Sequence, residues 1–343
     1  MSTLRTNAIL DASGGNTATI NTVPLRPGVL DPENRIINGA FDFWQRGTSG
    51  TSGGYVAADR WANTISGGTV TMSRQAFALG DTLGSNNPTY FLRQTVSGQV
   101  NSGDLAAVQQ AVEGVRSYAG QTITVLGWAR RSSGSGNMAV TVDQNFGTGG
   151  SPSAGVVLSG QTVTLTSSFA PFAVTFSVPS ITGKTLGTNG NDKLTLTFFT
   201  SAGSSYSTGS NSLGPQTIGV DFWGVHIKVG THTTAAVDLY KQPELGPELA
   251  RCQRYFEYVP ASASIPSSAS TATLAAPFVF AVTKRGQPAF AQVTNNYLYS
   301  QVGVSSTSSN HIGSLYGGIA YRGCSNSASQ QQFSELVSAD AEL

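Results

Sequence analysis

Residues 217–230 read TIGVDFWGVHIKVG. Ile218, Val220 and Phe222 share one parity, and Val225, Ile227 and Val229 share the other. Alternation of this kind marks a strand with one buried face. The parity switch at Trp223-Gly224 predicts a β-bulge, whose extra residue returns both apolar sets to the same face. Gly224 tolerates the backbone geometry that a bulge requires.

The same period of two recurs upstream. Phe172, Val174, Phe176 and Val178 alternate with Ala173, Thr175 and Ser177. Val163 and Leu165 do so among threonines, as do Met138, Val140 and Val142, and Leu194, Leu196 and Phe198. Residues 121–130 (QTITVLGWAR) are apolar at both parities, which predicts a central strand. The connections at 132–136 and 147–155 are rich in Gly and Ser. Short strands separated by such turns predict a sandwich rather than βαβ units. One segment reads two ways. In 104–118 (DLAAVQQAVEGVRSY), Leu105, Val108, Val112 and Val115 follow helical spacing, and alternation fits less well.

Composition agrees with an all-β chain. The 40 glycines and abundant threonine disfavour helix. Hydrophobic residues make up 39% of the 343, enough for real cores, and the length suggests two domains. Charged residues are 11%, against about 25% in an average soluble domain. The net charge is +1 and no basic run exceeds Ala129-Arg130-Arg131, so a nucleic-acid partner has no electrostatic support. No stretch reaches the ~18 apolar residues of a membrane span, so membrane insertion is not expected. The N-terminal MSTLRTNAIL lacks a signal peptide's apolar run, which predicts synthesis in a cytoplasm. Cys252 and Cys324 have no neighbour at metal-ligand spacing and read as free, buried thiols; a disulfide is the alternative.

The boundaries follow from composition. Residues 1–33 are a polar arm with three prolines, unable to build a core alone. Residues 34–232 form the strand-rich domain and contain all four tryptophans. Residues 233–247, with Pro243 and Pro247, read as a linker, and 248–343 as a different second domain. Its expected strands are 277–282, 289–294, 297–302, 318–321 and 332–341.

At this level the chain resembles bacteriophage tail-fibre-like virion proteins. The matching pieces are NAILDASGGNTATI (7–20), NRIINGAFDFWQRGTS (34–49), YVAADRWA (55–62), AVQQAVEGVRSYAGQTITVLGWARRS (107–132), VDFWGVHIKVG (220–230), PELGPELARCQRYFEY (243–258), FVFAVTKRGQPAF (278–290) and the terminal DAEL (340–343). The resemblance implies an all-β chain: an extended arm that attaches to the virion, a carbohydrate-binding-module-like jelly-roll β-sandwich, and a second β-sandwich forming a knob at the tip. It implies that an Asn-Gly-x-Phe strand beginning at Asn38 pairs with the closing strand. It also implies a strand over 105–113 with a short turn of helix near 115–118, against the helical periodicity. Finally it implies a parallel homotrimer.

Several residues are candidates for function. Trp44, Trp61, Trp128 and Trp223 read as core, given the area a Trp buries; sugar-stacking platforms are the alternative. Arg46, Asp59 and Arg60 are expected to form an ion pair beside Trp44, and Cys252 to Phe256 to lie at a subunit or domain interface. In the carbohydrate-module family the first and last strands carry acidic ligands for a structural calcium, and Asp42 and Asp221 stand at the matching positions; hard oxygen donors suit that cation. Hydrogen-bonded aspartates are the alternative. Tyr297, Tyr299, His311, Tyr316, Tyr321 and Arg322, set among Ser, Gly and Asn, have the composition of a recognition surface and are candidate glycan contacts. Gly50-Thr51-Ser52-Gly53-Gly54 matches a nucleophile elbow by letter alone, in a loop where chance matches are frequent. His226, His232 and His311 have no metalloprotease spacing.

The expected function is therefore a tail fibre or fibre-like appendage of a virion. Its partners are other virion proteins, through residues 1–33, and a host surface glycan, bound without catalysis. A capsid decoration or tail adaptor protein, and a surface-polysaccharide depolymerase, are the alternatives.

Overall fold

The computed structural model describes residues 34–265, 272–296, 310–324 and 331–343, together with a small hairpin, Thr19–Ile20 and Val23–Pro24. The rest of the arm, Tyr297, Tyr299 and the expected strand 297–302 lie outside the described residues.

Two six-stranded antiparallel sheets form the main sandwich. Sheet I runs, in spatial order, Ala170–Ser177, Thr122–Gly134, Ile218–Val229, Tyr90–Ser97, Thr69–Ala76 and Ser49–Gly50. Sheet II runs Val156–Val157, Met138–Asn145, Lys193–Ala202, Leu105–Glu113 and Ala62–Ser66, with Gln161–Val163 also paired to Met138–Asn145. Phe172, Val174, Phe176 and Val178 are buried between the sheets, as their alternation demands. Phe198 of sheet II meets Phe172 and Phe222 of sheet I, with ring centroids 6.0 and 5.3 Å apart. Strand Thr122–Gly134 lies between two neighbours, and both its faces are covered: Ile123 and Val125 in the inter-sheet core, Leu126 and Trp128 on the outer side.

The bulge falls where the parity switch placed it. The register of Ile218–Val229 against Thr122–Gly134 shifts between Trp223 and His226, and Gly224 has φ +63°. Val220, Phe222, Val225 and Ile227 consequently share the inter-sheet core. Trp223 points the other way. With Trp128, Phe91, Val237 and Tyr240 it forms a second apolar cluster on the outer face of sheet I.

Segment 104–118 is a strand, Leu105–Glu113, followed by tight turns. The helical spacing misleads because alanines fill both faces: Ala106 packs inside the sandwich and Ala107 outside it, and both are buried. The expected helical turn at 115–118 is absent. Hydrogen bonds Ser117 N to Gly114 O and Ala119 N to Arg116 O make successive turns there, with Tyr118 at φ +65°.

Residues 38–47, expected to begin the first strand, adopt no strand. Asn38 and Phe41 have φ +56° and +58°, and left-handed residues break a pleat. A single hydrogen bond, Val225 N to Gly39 O at 3.0 Å, ties this turn to the bulge of the closing strand. A Cβ on Gly39 would sit 2.0 Å from the Val225 carbonyl oxygen, so the close approach needs glycine.

Residues 233–247, expected as a linker, hold a 3₁₀ helix, Thr234–Leu239, and the start of an α-helix, Leu245–Gln253. Val237 and Tyr240 bury themselves on Trp128 and Trp223. The segment is thus a packed strap over sheet I.

Beyond it, two three-stranded sheets face each other. One is Phe256–Ile265, Gln331–Asp340 and Ala289–Asn296; the other is Ala272–Val279, Gly317–Cys324 and Asn310–Gly313. Val259, Phe278, Phe280, Ala320 and Val337 form their core. The strand expected at 277–282 lies earlier, at 272–279, and a hydrogen bond from Phe280 N to the Tyr316 carbonyl (3.0 Å) extends the same register by one residue.

Candidate functional site

The first aromatic motif is organised by one asparagine. The Asn38 side chain donates to the carbonyls of Phe43 (2.9 Å) and Asp59 (3.0 Å) and accepts from the Phe43 amide (3.0 Å). Its carbonyl accepts from Trp61 Nε1 (3.0 Å), and Trp44 Nε1 donates to the Phe41 carbonyl (2.6 Å). All four tryptophans are buried, at 0–8% exposure, so none presents a face to a sugar.

This turn receives the C-terminal unit. Arg46 pairs with Asp340 (3.1 Å) and Glu342 (3.3 Å) and stacks 3.7 Å from the centroid of Phe256. Arg60 pairs with Glu342, donates to the Ala111 carbonyl at 2.5 Å and lies 3.4 Å over Tyr255. Burial pushes the Arg60 pKa down, opposed by nearby tyrosines and other groups. The expected ion pair with Asp59 does not form. Asp59 instead accepts from the backbone and side chain of Gln45, at 3.1 and 2.6 Å. Both arginines are instead taken up by acids of the terminal DAEL. Glu248 accepts from the Asn38 amide (2.5 Å) and pairs with Arg251 (2.8 Å). Cys252, a free buried thiol, and Tyr255 pack with Ile37, Phe43 and Leu343. Cys252 to Phe256 thus lie at a contact within the chain. Asp340, Glu342 and Glu248 were missed as site residues. The available signal was several acids flanking aromatic motifs in a charge-poor chain.

Asp42 and Asp221 have separate partners. Asp221 is fully buried and paired across the sheet with Arg93 (2.6 Å) and Arg130 (2.7 Å). Arg130 also lies 4.6 Å over Phe169. Two guanidiniums around one carboxylate offset its negative charge. Asp42 accepts at both oxygens from Gln242 Nε2, at 3.0 and 2.9 Å. Among the described residues no group of three or more His, Cys, Asp or Glu is placed to hold a metal. Both aspartates are thus bonded to protein groups, the alternative reading of the two residues.

Asp42 lines an open groove of about 510 Å³ with Phe43, Thr89, Tyr90, Gln242, Pro243, Glu244 and Leu245. Burial raises the Asp42 pKa, Gln242 lowers it, and Glu248 raises it further. Arg74 lies 4.4 Å over the Tyr90 ring.

The tyrosine-rich group of the C-terminal unit is only partly described. Tyr316 is exposed, and half-buried His311 lies 6.3 Å from the Phe290 ring. Tyr321 and Arg322 lie on strand Gly317–Cys324. In the stretch 50–54, Gly50 ends a two-residue strand and Gly54 bridges to Asn63; no helix follows, so the nucleophile-elbow context is missing.

No family model and no curated protein matches the chain. Among solved structures it is similar to the enzymatically active domain of tailspike protein 4 from bacteriophage CBA120, at 13% identity and TM-score 0.35, covering 57% of this chain and 21% of that one. It is also similar to a putative sugar binding protein from Bacteroides thetaiotaomicron, at 12% identity and TM-score 0.36, covering 57% and 100%. A xylan-binding domain from Paenibacillus barcinonensis gives 12% identity and TM-score 0.30, covering 54% and 94%. The chain spans about a fifth of the tailspike that it matches. At these scores the likenesses carry no functional argument.

Proposed function

We propose that the protein is a fibre-like virion component that adheres to a host surface glycan without catalysis. The observation that carries this reading is the bonded joint between its two sandwiches. Arg46 and Arg60 reach from the first unit to Asp340 and Glu342 of the second, with cation–π contacts to Phe256 and Tyr255. An appendage must transmit force from particle to tip, and a tether would let the units swing. The ordered run of fibre-like sequence motifs supports the virion setting. In this reading residues 1–33 dock on other virion proteins and three copies assemble in parallel. Trimerisation would multiply weak glycan contacts through effective concentration.

The test has three readouts on the full chain. Light scattering is expected to give a mass near three chains. Labelling of intact virions is expected to place the protein on an external appendage. A glycan array is expected to show binding with no release of reducing ends. A clean monomer counts against the fibre. Virion placement without glycan binding makes it a decoration or adaptor protein, and released reducing ends make it a depolymerase.

A further inference from the structure

We infer that the groove between the first aromatic turn and the strap binds one unit of a neutral pyranose. This rests on the adhesion reading above and gives it a site distinct from the tyrosines of the C-terminal unit.

The groove is assembled from three parts of the chain. The turn at 42–43 supplies Asp42 and Phe43, strand Tyr90–Ser97 and its approach supply Tyr90 and Thr89, and the strap supplies 242–245. Its volume of about 510 Å³ falls within the range of about 300–1,000 Å³ typical of small-ligand sites. A pyranose presents a ring of C–H groups on its faces and hydroxyls around its rim. Phe43 and Tyr90, both half-buried, line the groove as its aromatic part; Phe43 is held by its packing on the Cys252 cluster and the Tyr90 ring by Arg74 at 4.4 Å. For the rim there is a carboxylate, an amide and a hydroxyl, from Asp42, Gln242 and Thr89. The two hydrogen bonds from Gln242 fix the Asp42 carboxylate, leaving further lone pairs on both oxygens for sugar hydroxyls. The Gln242 backbone is in turn held by Asn86 Oδ1 at 3.0 Å.

Charge selects the class of sugar. The titratable groups lining the groove are Asp42, Glu244 and Tyr90, with no lysine or arginine among the lining residues. Asp42 and Glu244 outnumber the one cation beside the lining, Arg74 over Tyr90, so acidic sugars and phosphorylated polymers would meet net like charge there. Neutral hexoses and N-acetylhexosamines meet none.

The experiment is saturation-transfer NMR on the full chain with methyl glucoside, methyl galactoside, methyl mannoside and N-acetylglucosamine, each to about 10 mM, the range of weak single-site binding. At least one is expected to bind. Asp42→Asn and Tyr90→Ala should weaken it about tenfold or more. Thr89→Trp fills the groove from an exposed rim position, so it tests the site without disturbing the core. Loss of binding in Thr89→Trp with an unchanged melting temperature supports the site. Undiminished sugar binding in all three variants overturns the groove but leaves glycan adhesion standing. No binding of any of the four sugars overturns the groove, and an array that is also blank removes the adhesion reading with it.

Discussion

Arg60 and Glu342 lie 282 positions apart in sequence and form one buried ion pair. Each side chain is less than a tenth exposed, and Arg60 is also sandwiched against Tyr255. Removing one partner leaves the other charge buried and uncompensated. Glu342→Ala is expected to destabilise by about 3–5 kcal/mol. Glu342→Ala combined with Arg60→Met should cost less than the sum of the two single changes, since no lone charge remains. Urea unfolding of the four proteins measures this, and additive losses would show that the pair is not coupled.

Gly224 occupies the bulge at φ +63°, and a Cβ there would stand 2.7 Å from the Trp128 ring. Gly224→Ala is expected to cost about 2–4 kcal/mol, from left-handed backbone strain and overpacking together. A melting temperature within a degree of the parent would contradict that geometry.

Asp221 sits between Arg93 and Arg130, whose side chains are 27% and 30% exposed. Asp221→Ala should destabilise by about 1–3 kcal/mol, because the freed guanidiniums can turn partly to water. Since both charges already neutralise the carboxylate, excess calcium or a chelator is expected to leave the parent's melting temperature unchanged. A rise with calcium that Asp221→Ala abolishes would restore a cation there.

Asp143, on strand Met138–Asn145, is pushed up to about 7 by burial, opposed by the Thr141 hydroxyl. Its pKa is higher folded than unfolded, so the folded state binds the proton more tightly. This group therefore favours folding at low pH, and its contribution falls as pH rises from about 4 to about 7. Asp143→Asn should be more stable than the parent at pH 8 and gain nothing at pH 4. Urea midpoints at the two pH values test the sign; a parent-to-variant difference independent of pH would refute it.

Much of the main sandwich was legible in local sequence. The parities at 172–178, 194–198 and 218–229 gave strands and a bulge at the observed places, because side-chain direction in a strand repeats every two residues. Leu105–Glu113 was not legible from periodicity, since a strand buried on both faces by alanines has no face to mark. The strand expected at 38–47 rested on the resemblance; Phe41 and Trp44 are buried there without one. Their burial comes from left-handed turns around Asn38, which aromatic content does not report.

What the sequence determined alone is the class of the fold: strands, their apolar faces and the bulge, all set by short-range sterics and periodicity. Tertiary structure decided the partners. It placed Arg46 and Arg60 on the terminal acids rather than on Asp59, drew Asp221 to two arginines, and turned 233–247 into a strap that completes the groove beside Asp42. A charged side chain is satisfied by whichever opposite charge the packed chain brings within hydrogen-bond reach. That choice depends on three-dimensional proximity across hundreds of residues, which no local pattern encodes.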